Sequence, residues 1–392
     1  MKIIFCATNP HVPTGYAKIA TQIANYLSQN HEVYYLAFQS FGGNAIERKC
    51  SENVNMLPVK DFGYDEIGNF VSIIKPDILF IYNDVLIIRN YIIKTKELKE
   101  NLKFKTIAYL DLTYIWENHI KFIDDNVDKI VTFADFWTNH LIENGVSSDK
   151  LYTMLHPMDT NVFPMDNIKE CRAHFGFKDE DFVILNLNRN SYRKQWGLTI
   201  EAFILFLKGN NFDKNIKLFC GCILQGLSYN IRDLITIFSR KHKLTTEQSE
   251  ILSEAIRVPA QLPLETEQIN MLYNACDVGL NTCGGEGFGL CNVEHQLVGR
   301  PQILTNTTSF KSLFSKDWSM LLDTTMDMAV PADWDNIQGL VELVSPLDYC
   351  SAMNTYFKDK NLRELHGQKG KEALQYLKKN QLFILDKVLY DI

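Results

Sequence analysis

Apolar runs of strand length alternate with amphipathic helical runs from one end of this chain to the other, the pattern of parallel α/β layers. In the first half, strands are expected over 2–6, 32–38, 77–82, 105–110, 129–133 and 150–155. A helix is expected over 16–28, where Ile19, Ile23 and Leu27 recur every fourth residue. A second strand series runs through 182–187, 217–223, 256–260, 278–282 and 302–305, and the tail from Leu362 onward reads as helical. The stretch 157–167 holds Pro157 and Pro164, lacks periodicity and reads as a connection. With 392 residues, the chain is longer than one hydrophobic core usually serves. The expected domains are therefore 1–163 and 164–377, with a last helix of about 378–392 packing back on the first. Parallel sheets bind ligands beyond the carboxyl ends of their strands, so the loops there are the candidate sites.

Composition narrows the partners. The net charge is -7 and no like-charge run is long enough for a nucleic-acid arm, so nucleic acid is not an expected partner. No apolar stretch approaches the length of a transmembrane helix. The chain opens on the strand-like Lys2-Ile3-Ile4-Phe5 rather than a signal peptide, and its 9 cysteines sit mostly in strand-like or motif segments. A reducing, cytoplasmic setting with cysteines as small buried hydrophobes fits this, and Cys220-Gly221-Cys222 lacks the spacing of a redox or metal pair. At most a weak membrane-surface contact is expected, at Lys94, Lys96, Lys99, Lys103 and Lys105 beside apolar 91–93; Glu97 and Glu100 interrupt that run.

The most informative segment is Asn281-Thr-Cys-Gly-Gly-Glu-Gly-Phe-Gly-Leu-Cys-Asn-Val-Glu294, which follows a strand and opens a helix stopped by Gly299 and Pro301. Gly284, Gly285, Gly287 and Gly289 allow close backbone approach to a ligand, and a helix N-terminus favours an anion. Glu286 and Glu294 flank the turn; eight residues at helical rise separate their backbones by about 12 Å. A glycosidase pair stands closer, at roughly 5–9.5 Å. The wider spacing suits a nucleotide sugar held at both ends, the hexose at Glu286 and the ribose at Glu294.

A second loop, at 188–197, carries Arg189, Arg193 and Lys194 at the carboxyl end of the 182–187 strand. Three cations within six residues repel one another unless an anion sits among them, and a diphosphate supplies one.

Together these segments resemble the family 4 retaining glycosyltransferases. Glu286 and Glu294 form that family's E-x7-E pattern within a similar Gly-Glu-Gly-Phe-Gly-Leu context, and Arg189 and Lys194 match its diphosphate-holding Arg and Lys in order and spacing. Val12-Pro13-Thr14-Gly15-Tyr16 is similar to its first glycine loop, with one glycine where the family often has two; His31-Glu32-Val33 looks like the strand that follows. Leu272-Tyr273-Asn274-Ala275-Cys276-Asp277 is similar to its approach to the E-x7-E strand. The resemblance spans about residues 1–310 and looks nearest to variants carried by large DNA viruses. Where the family commonly places a histidine near the reacting carbon, this chain has Tyr109-Leu110-Asp111, and Asp111 is either a substitute or a helix cap.

The resemblance implies a GT-B fold, two Rossmann-like domains facing across a cleft, and retention of anomeric configuration. It implies Glu286, Arg189, Lys194 and Asp111 as catalytic residues, and Gly15, Arg189, Lys194, Gly287, Phe288, Gly289, Leu290 and Glu294 as donor contacts. The donor is a nucleotide-sugar substrate, leaning to GDP-mannose with a UDP-sugar as runner-up; the acceptor is a glycan or other hydroxyl compound. Base contacts are expected around 257–262 and the acceptor at the 83–84 and 111–116 loops of the first domain. No metal is expected, because Asp179-Glu180-Asp181 and Asp333-Trp334-Asp335 read as turns or caps rather than as an Asp-x-Asp cation site. A sugar-nucleotide epimerase or hydrolase, and a nucleotide-sugar-binding protein, are the competing readings on the same architecture.

Overall fold

The computed structural model describes residues 1–39, 46–116, 118–158, 161–226, 228–259, 262–330, 338–379 and 381–392. The chain divides into two compact units. The first comprises 1–157, 331–339 and 379–392, and the second comprises 158–330 and 340–378.

In the first unit seven parallel strands, β1 (Lys2–Thr8), β2 (Glu32–Phe38), β3 (Val54–Leu57), β4 (Ile78–Asp84), β5 (Lys105–Asp111), β6 (Lys129–Thr132) and β7 (Leu151–Thr153), lie in the order β3-β2-β1-β4-β5-β6-β7. Helices cover the sheet, so the inner strands are near-continuous apolar runs rather than alternating ones. Ile4, Leu36, Leu79, Ile81, Ala108 and Leu110 meet Ile88, Tyr91 and Trp137 from helices in one core. The expected helix is Gly15–Leu27, capped by Thr14, whose side chain accepts from Ala17 N at 3.3 Å. The last helix, Phe383–Tyr390, belongs to this unit: Tyr26 and Tyr152 donate to Asp386 and Asp391, each at 2.6 Å.

The second unit holds a six-stranded parallel sheet of β8 (Phe182–Asn186), β9 (Ile216–Cys220), β10 (Ile256–Arg257), β11 (Val278–Asn281), β12 (Gln302–Thr305) and β13 (Met320–Leu322). Their order is β10-β9-β8-β11-β12-β13. A two-stranded sheet of β14 (Met326–Val330) and β15 (Gly339–Leu343) follows. Ile184, Trp196, Phe203, Leu218, Leu280, Ile303, Tyr349 and Tyr356 pack one face; Val183, Leu185, Phe219 and Tyr273 pack another cluster.

Several expected bounds shift for physical reasons. β3 and β13, of four and three residues with partly exposed side chains, were not among the expected strands. β9 stops before Gly221, where a Cβ would stand 2.4 Å from the Leu187 side chain. The boundary between the two units falls at 157/158, within the expected connection, and its described residues 162–165 dock on the second unit. Phe163 N and Met165 N donate to Asn270 and Asn274 of the helix Thr266–Ala275, at 3.0 and 2.9 Å, and Val162 is buried. The expected strand over 256–260 is only two residues long in β10, and residues 260–261 lie outside the described set.

The lysine-rich helix is Val85–Leu102. Tyr91 and Ile92 are buried in the core, leaving Ile93 as the exposed residue of that trio. Lys99 and Lys105 both pair with Asp128, at 2.6 and 3.1 Å, and Lys94 pairs with Asp65 at 3.2 Å. These ion pairs and the burial of Tyr91 and Ile92 offset part of the positive charge and apolar surface of that helix. Among the described residues, no helix is long and apolar enough to cross a membrane.

Candidate functional site

Strand order brings the two informative loops together. In the second unit the sequence direction reverses between β8 and β11, and a parallel sheet opens a crevice at such a switch point. The 187–195 loop leaves β8 and the 282–289 turn leaves β11, so they emerge side by side. Gly284 N donates to Arg193 O at 2.9 Å, and Thr282 Oγ1 donates to Lys194 O at 3.1 Å.

Glu286 sits at the centre, 7% exposed. Its Oε2 accepts from Lys194 Nζ and, at 3.3 Å, from Arg193 Nη1; Arg193 also reaches Gly285 O at 3.1 Å. Lys194 is itself 5% exposed. Burial opposes ionisation of Glu286, but the charges of Lys194 and Arg193 outweigh it and hold the carboxyl at about 2. Glu286 is therefore an anion at neutral pH. Burial, and then Arg193, push Lys194 below the ordinary lysine range, with Glu286 pulling the other way. The adjacent Cys283 thiol is pushed up to about 12, by burial first and then by Glu286, so it stays protonated.

Arg189 stands apart from this cluster. Its side chain is exposed, and its carbonyl accepts from Trp196 Nε1 at 3.1 Å. Arg193, not singled out from sequence as a site residue, is the guanidinium that reaches Glu286. Its signal was its place among the three loop cations.

The glycine turn is also shaped by packing within the protein. A Cβ at Gly284 would meet Val341 Cβ at 2.6 Å, and one at Gly289 would meet Phe310 Cε1 at 2.2 Å. These two glycines are thus required by packing against the protein itself, and Gly289 also by its left-handed φ of 80°. Several amides of the turn are already engaged: Cys283 N with Asn281 Oδ1 at 3.0 Å, Gly284 N with Arg193 O, and Glu286 N with Thr308 Oγ1 at 2.8 Å. The helix begins only at Leu290, so helical rise does not set the separation of Glu286 and Glu294.

Glu294 lies on that helix, 4% exposed, and accepts from Tyr273 Oη at 2.9 Å. Gly287, Phe288 and Gly289 are buried, and Leu290 is half-buried. The neighbouring Asp277 holds structure: Arg172 Nη2 reaches both of its oxygens at 2.8 Å, and it accepts from Val183 N at 2.8 Å. That clamp ties the start of β11 to β8.

The first unit has its own switch point, between β1 and β4. Gly15 is exposed at the start of its helix. Asp111 ends β5 and accepts from the hydroxyl of Tyr16; the next helix is Ile120–Asn126 behind His119, so Asp111 does not cap it. Tyr16, Tyr82 and Tyr109 form a ring ladder with centroids 5.4 and 4.7 Å apart. Tyr109 Oη meets His156 Nδ1 at 2.8 Å. Burial pulls His156 down to about 3, so it is neutral, and this histidine was not foreseen from sequence. Farther out, Trp116, 60% exposed, lines a cavity of about 220 Å³ with Lys121, Asp124, His140 and Asn144.

Three solved structures show what this fold is similar to. HepE from Anabaena, in complex with UDP-glucose, superposes with a TM-score of 0.71 at 13% identity, over 100% of this chain and 98% of that one. Sucrose-phosphate synthase from Thermosynechococcus elongatus gives 0.74 at 12% identity, over 100% and 98%. The lipopolysaccharide outer core galactosyltransferase WaaB, in its apo form, gives 0.60 at 12% identity, over 100% and 99%.

The fold is GT-B.

No protein family's sequence profile and no curated protein matches the chain. Within the GT-B fold, Glu286, Lys194, Arg193 and Glu294 all belong to the second unit, and Gly15 and Asp111 to the first. Of the two Asp-x-Asp segments, Asp179 pairs with Lys169 of the helix Ile168–His174 at 3.0 Å, and Asp181 accepts from Lys178 N at 2.8 Å. Asp333 and Asp335 lie outside the described residues.

Proposed function

We propose that the chain is a retaining glycosyltransferase that moves a hexose from a nucleotide-diphosphate sugar to a hydroxyl of a glycan or other acceptor. The observation that carries this reading is the buried, ionised Glu286 held by Lys194 and Arg193 at the switch point of a GT-B fold. When the bond from the sugar's anomeric carbon to the β-phosphate breaks, its electron pair leaves with the phosphate oxygen. Positive charge then develops on the ring. Lys194, Arg193 and the exposed Arg189 offset the growing phosphate charge, which is electrostatic preorganisation. Glu286 orients the sugar and favours the cationic ring. The acceptor oxygen bonds the same face of the anomeric carbon, and its proton passes to the departing phosphate.

Glu294 is assigned to the ribose end of the donor, and Gly287, Phe288, Gly289 and Leu290 to its phosphate and sugar side. The acceptor is proposed to bind at the carboxyl end of the first unit's sheet, at the 83–84 and 111–116 loops. The choice of base lies between uridine, which HepE carries, and the guanosine of GDP-mannose, toward which the sequence resemblance leans.

A thermal-shift panel of UDP-glucose, other UDP-sugars, GDP-mannose and ADP-glucose tests the reading. One donor at 100 times its dissociation constant stabilises by about 2.7 kcal/mol, whereas mismatched donors leave the melting curve unchanged. Nucleoside diphosphate release that rises with an acceptor completes the test. Donor binding without turnover, or no binding across the panel, overturns the proposal.

Transfer is also expected to persist in EDTA, because Lys194, Arg193 and Arg189 are assigned the charge that develops on the diphosphate. Loss of all transfer in EDTA, restored by manganese or magnesium, would show that a divalent ion is needed.

A further inference from the structure

One side chain grips Glu286 from both directions. Thr308 Oγ1 accepts from Glu286 N at 2.8 Å and donates to Glu286 O at 2.9 Å. Those two groups belong to the peptide units on either side of the Glu286 Cα, so a single hydroxyl restrains both of its backbone dihedrals. The direction of the Cα–Cβ bond, and with it the carboxylate, follows. Such restraint is needed here. Glu286 is flanked by Gly285 and Gly287, and glycines leave a turn the widest conformational freedom.

Thr308 is itself in an uncommon state. It is fully buried and its φ is 38°, on the left-handed side that β-branched residues rarely occupy. A conformation of this kind persists only where its surroundings over-determine it, and such sites cluster where geometry matters to function. The surroundings are on hand. Thr307 Oγ1 donates to the Glu342 carboxylate at 2.7 Å, Lys311 Nζ pairs with Glu342 at 2.8 Å, and Glu342 N donates to Gly284 O at 2.9 Å. The 307–309 turn and β15 thus hold the glycine turn at Gly284 O and at both peptide groups of Glu286.

We propose that Thr308 is a positioning residue: it fixes the Glu286 backbone so that the carboxylate meets Lys194 and Arg193 in the geometry that transfer requires. The proposal rests on the glycosyl-transfer reading above. A misplacement of about 1 Å in a catalytic group costs on the order of a hundredfold in rate.

The test compares Thr308→Val, which keeps the shape and loses the hydroxyl, with Thr308→Ser, which keeps the hydroxyl. With the donor identified by the panel, Thr308→Val is expected to lower kcat about ten- to a hundredfold while calorimetric donor affinity changes less than about threefold. Thr308→Ser is expected to return kcat to within about threefold of the wild type. Equal losses in both variants, or a loss in donor affinity alone, overturn the proposal. If Thr308→Val does not fold, Thr308→Ala against Thr308→Ser supplies the same contrast. A second measurement is independent of turnover. In urea titrations, Thr308→Val and Lys194→Met should be non-additive in their midpoint shifts, because Thr308 aims the partner of Lys194. Additive shifts overturn the positioning role even in a protein that transfers sugar. Non-additive shifts in a protein that turns over no donor leave the grip standing and remove the transfer reading instead.

Discussion

Replacing Lys194 by Ala is expected to lower turnover about a hundred- to a thousandfold, and to destabilise the second unit in the same stroke. Lys194 is 5% exposed and its ammonium is bonded to a carboxylate that is 7% exposed. Removing one partner of a buried pair strands the other charge in a poor solvent, a loss of about 3–5 kcal/mol. Arg193, at 3.3 Å from the same oxygen, keeps part of the compensation, so the lower end of that range is expected. The kinetic effect has a different origin. A cation beside a leaving diphosphate interacts more strongly as the bond breaks, and interactions stronger in the transition state act on kcat rather than on affinity alone. Arg189→Ala separates the two effects, because that side chain is exposed: turnover should fall while the urea midpoint holds. Paired kinetics, calorimetric donor affinity and urea unfolding measure all three quantities. If both variants change donor affinity and leave kcat intact, the assigned roles are wrong.

Glu286→Gln is expected to abolish most turnover with a smaller change in donor affinity. The amide keeps the shape and one acceptor oxygen but not the charge that faces an oxocarbenium-like ring. It also leaves Lys194 and Arg193 crowded without their counter-charge, so a loss of stability accompanies it. This loss carries a pH signature. Glu286 titrates at about 2 in the folded chain against an ordinary value of 4.5, so its stabilisation is fully present above 4.5 and disappears as pH falls through about 2. Over that window the wild type should lose stability faster than Glu286→Gln, and the two urea midpoints should converge toward low pH. Parallel pH profiles for the two proteins, or transfer at the wild-type rate by the variant, would overturn the assignment.

Much of this is legible in the sequence. The α/β alternation follows from burial of each sheet between helices, which makes the inner strands β1, β4, β8 and β11 continuous apolar runs of recognisable length. Glu286, Arg189 and Lys194 stood out because a carboxylate in a glycine-rich turn and a cluster of cations fall in loops after two strands and match the order and spacing of the family's pattern. The short edge strands β3 and β13 were not legible, whereas β7, equally short, was read from the longer apolar stretch 150–155 around it. Arg193 was visible only as one of three cations. Thr308 was not visible at all: it lies 22 residues beyond Glu286, and no local pattern announces that a threonine hydroxyl folds back onto a distant backbone.

The sequence by itself determined the fold class, the two strand series and the two loops in which charge and glycine concentrate, because these depend on local periodicity and on where unpaired charge is tolerated. Only the tertiary structure decided which charges meet. Strand order places β8 beside β11, and that adjacency sets Lys194 and Arg193 against Glu286 while leaving Arg189 exposed. It also decided what the glycines are for. Gly284 and Gly289 make room for Val341 and Phe310, residues from 21 to 57 positions away, and only packing in three dimensions sets such requirements.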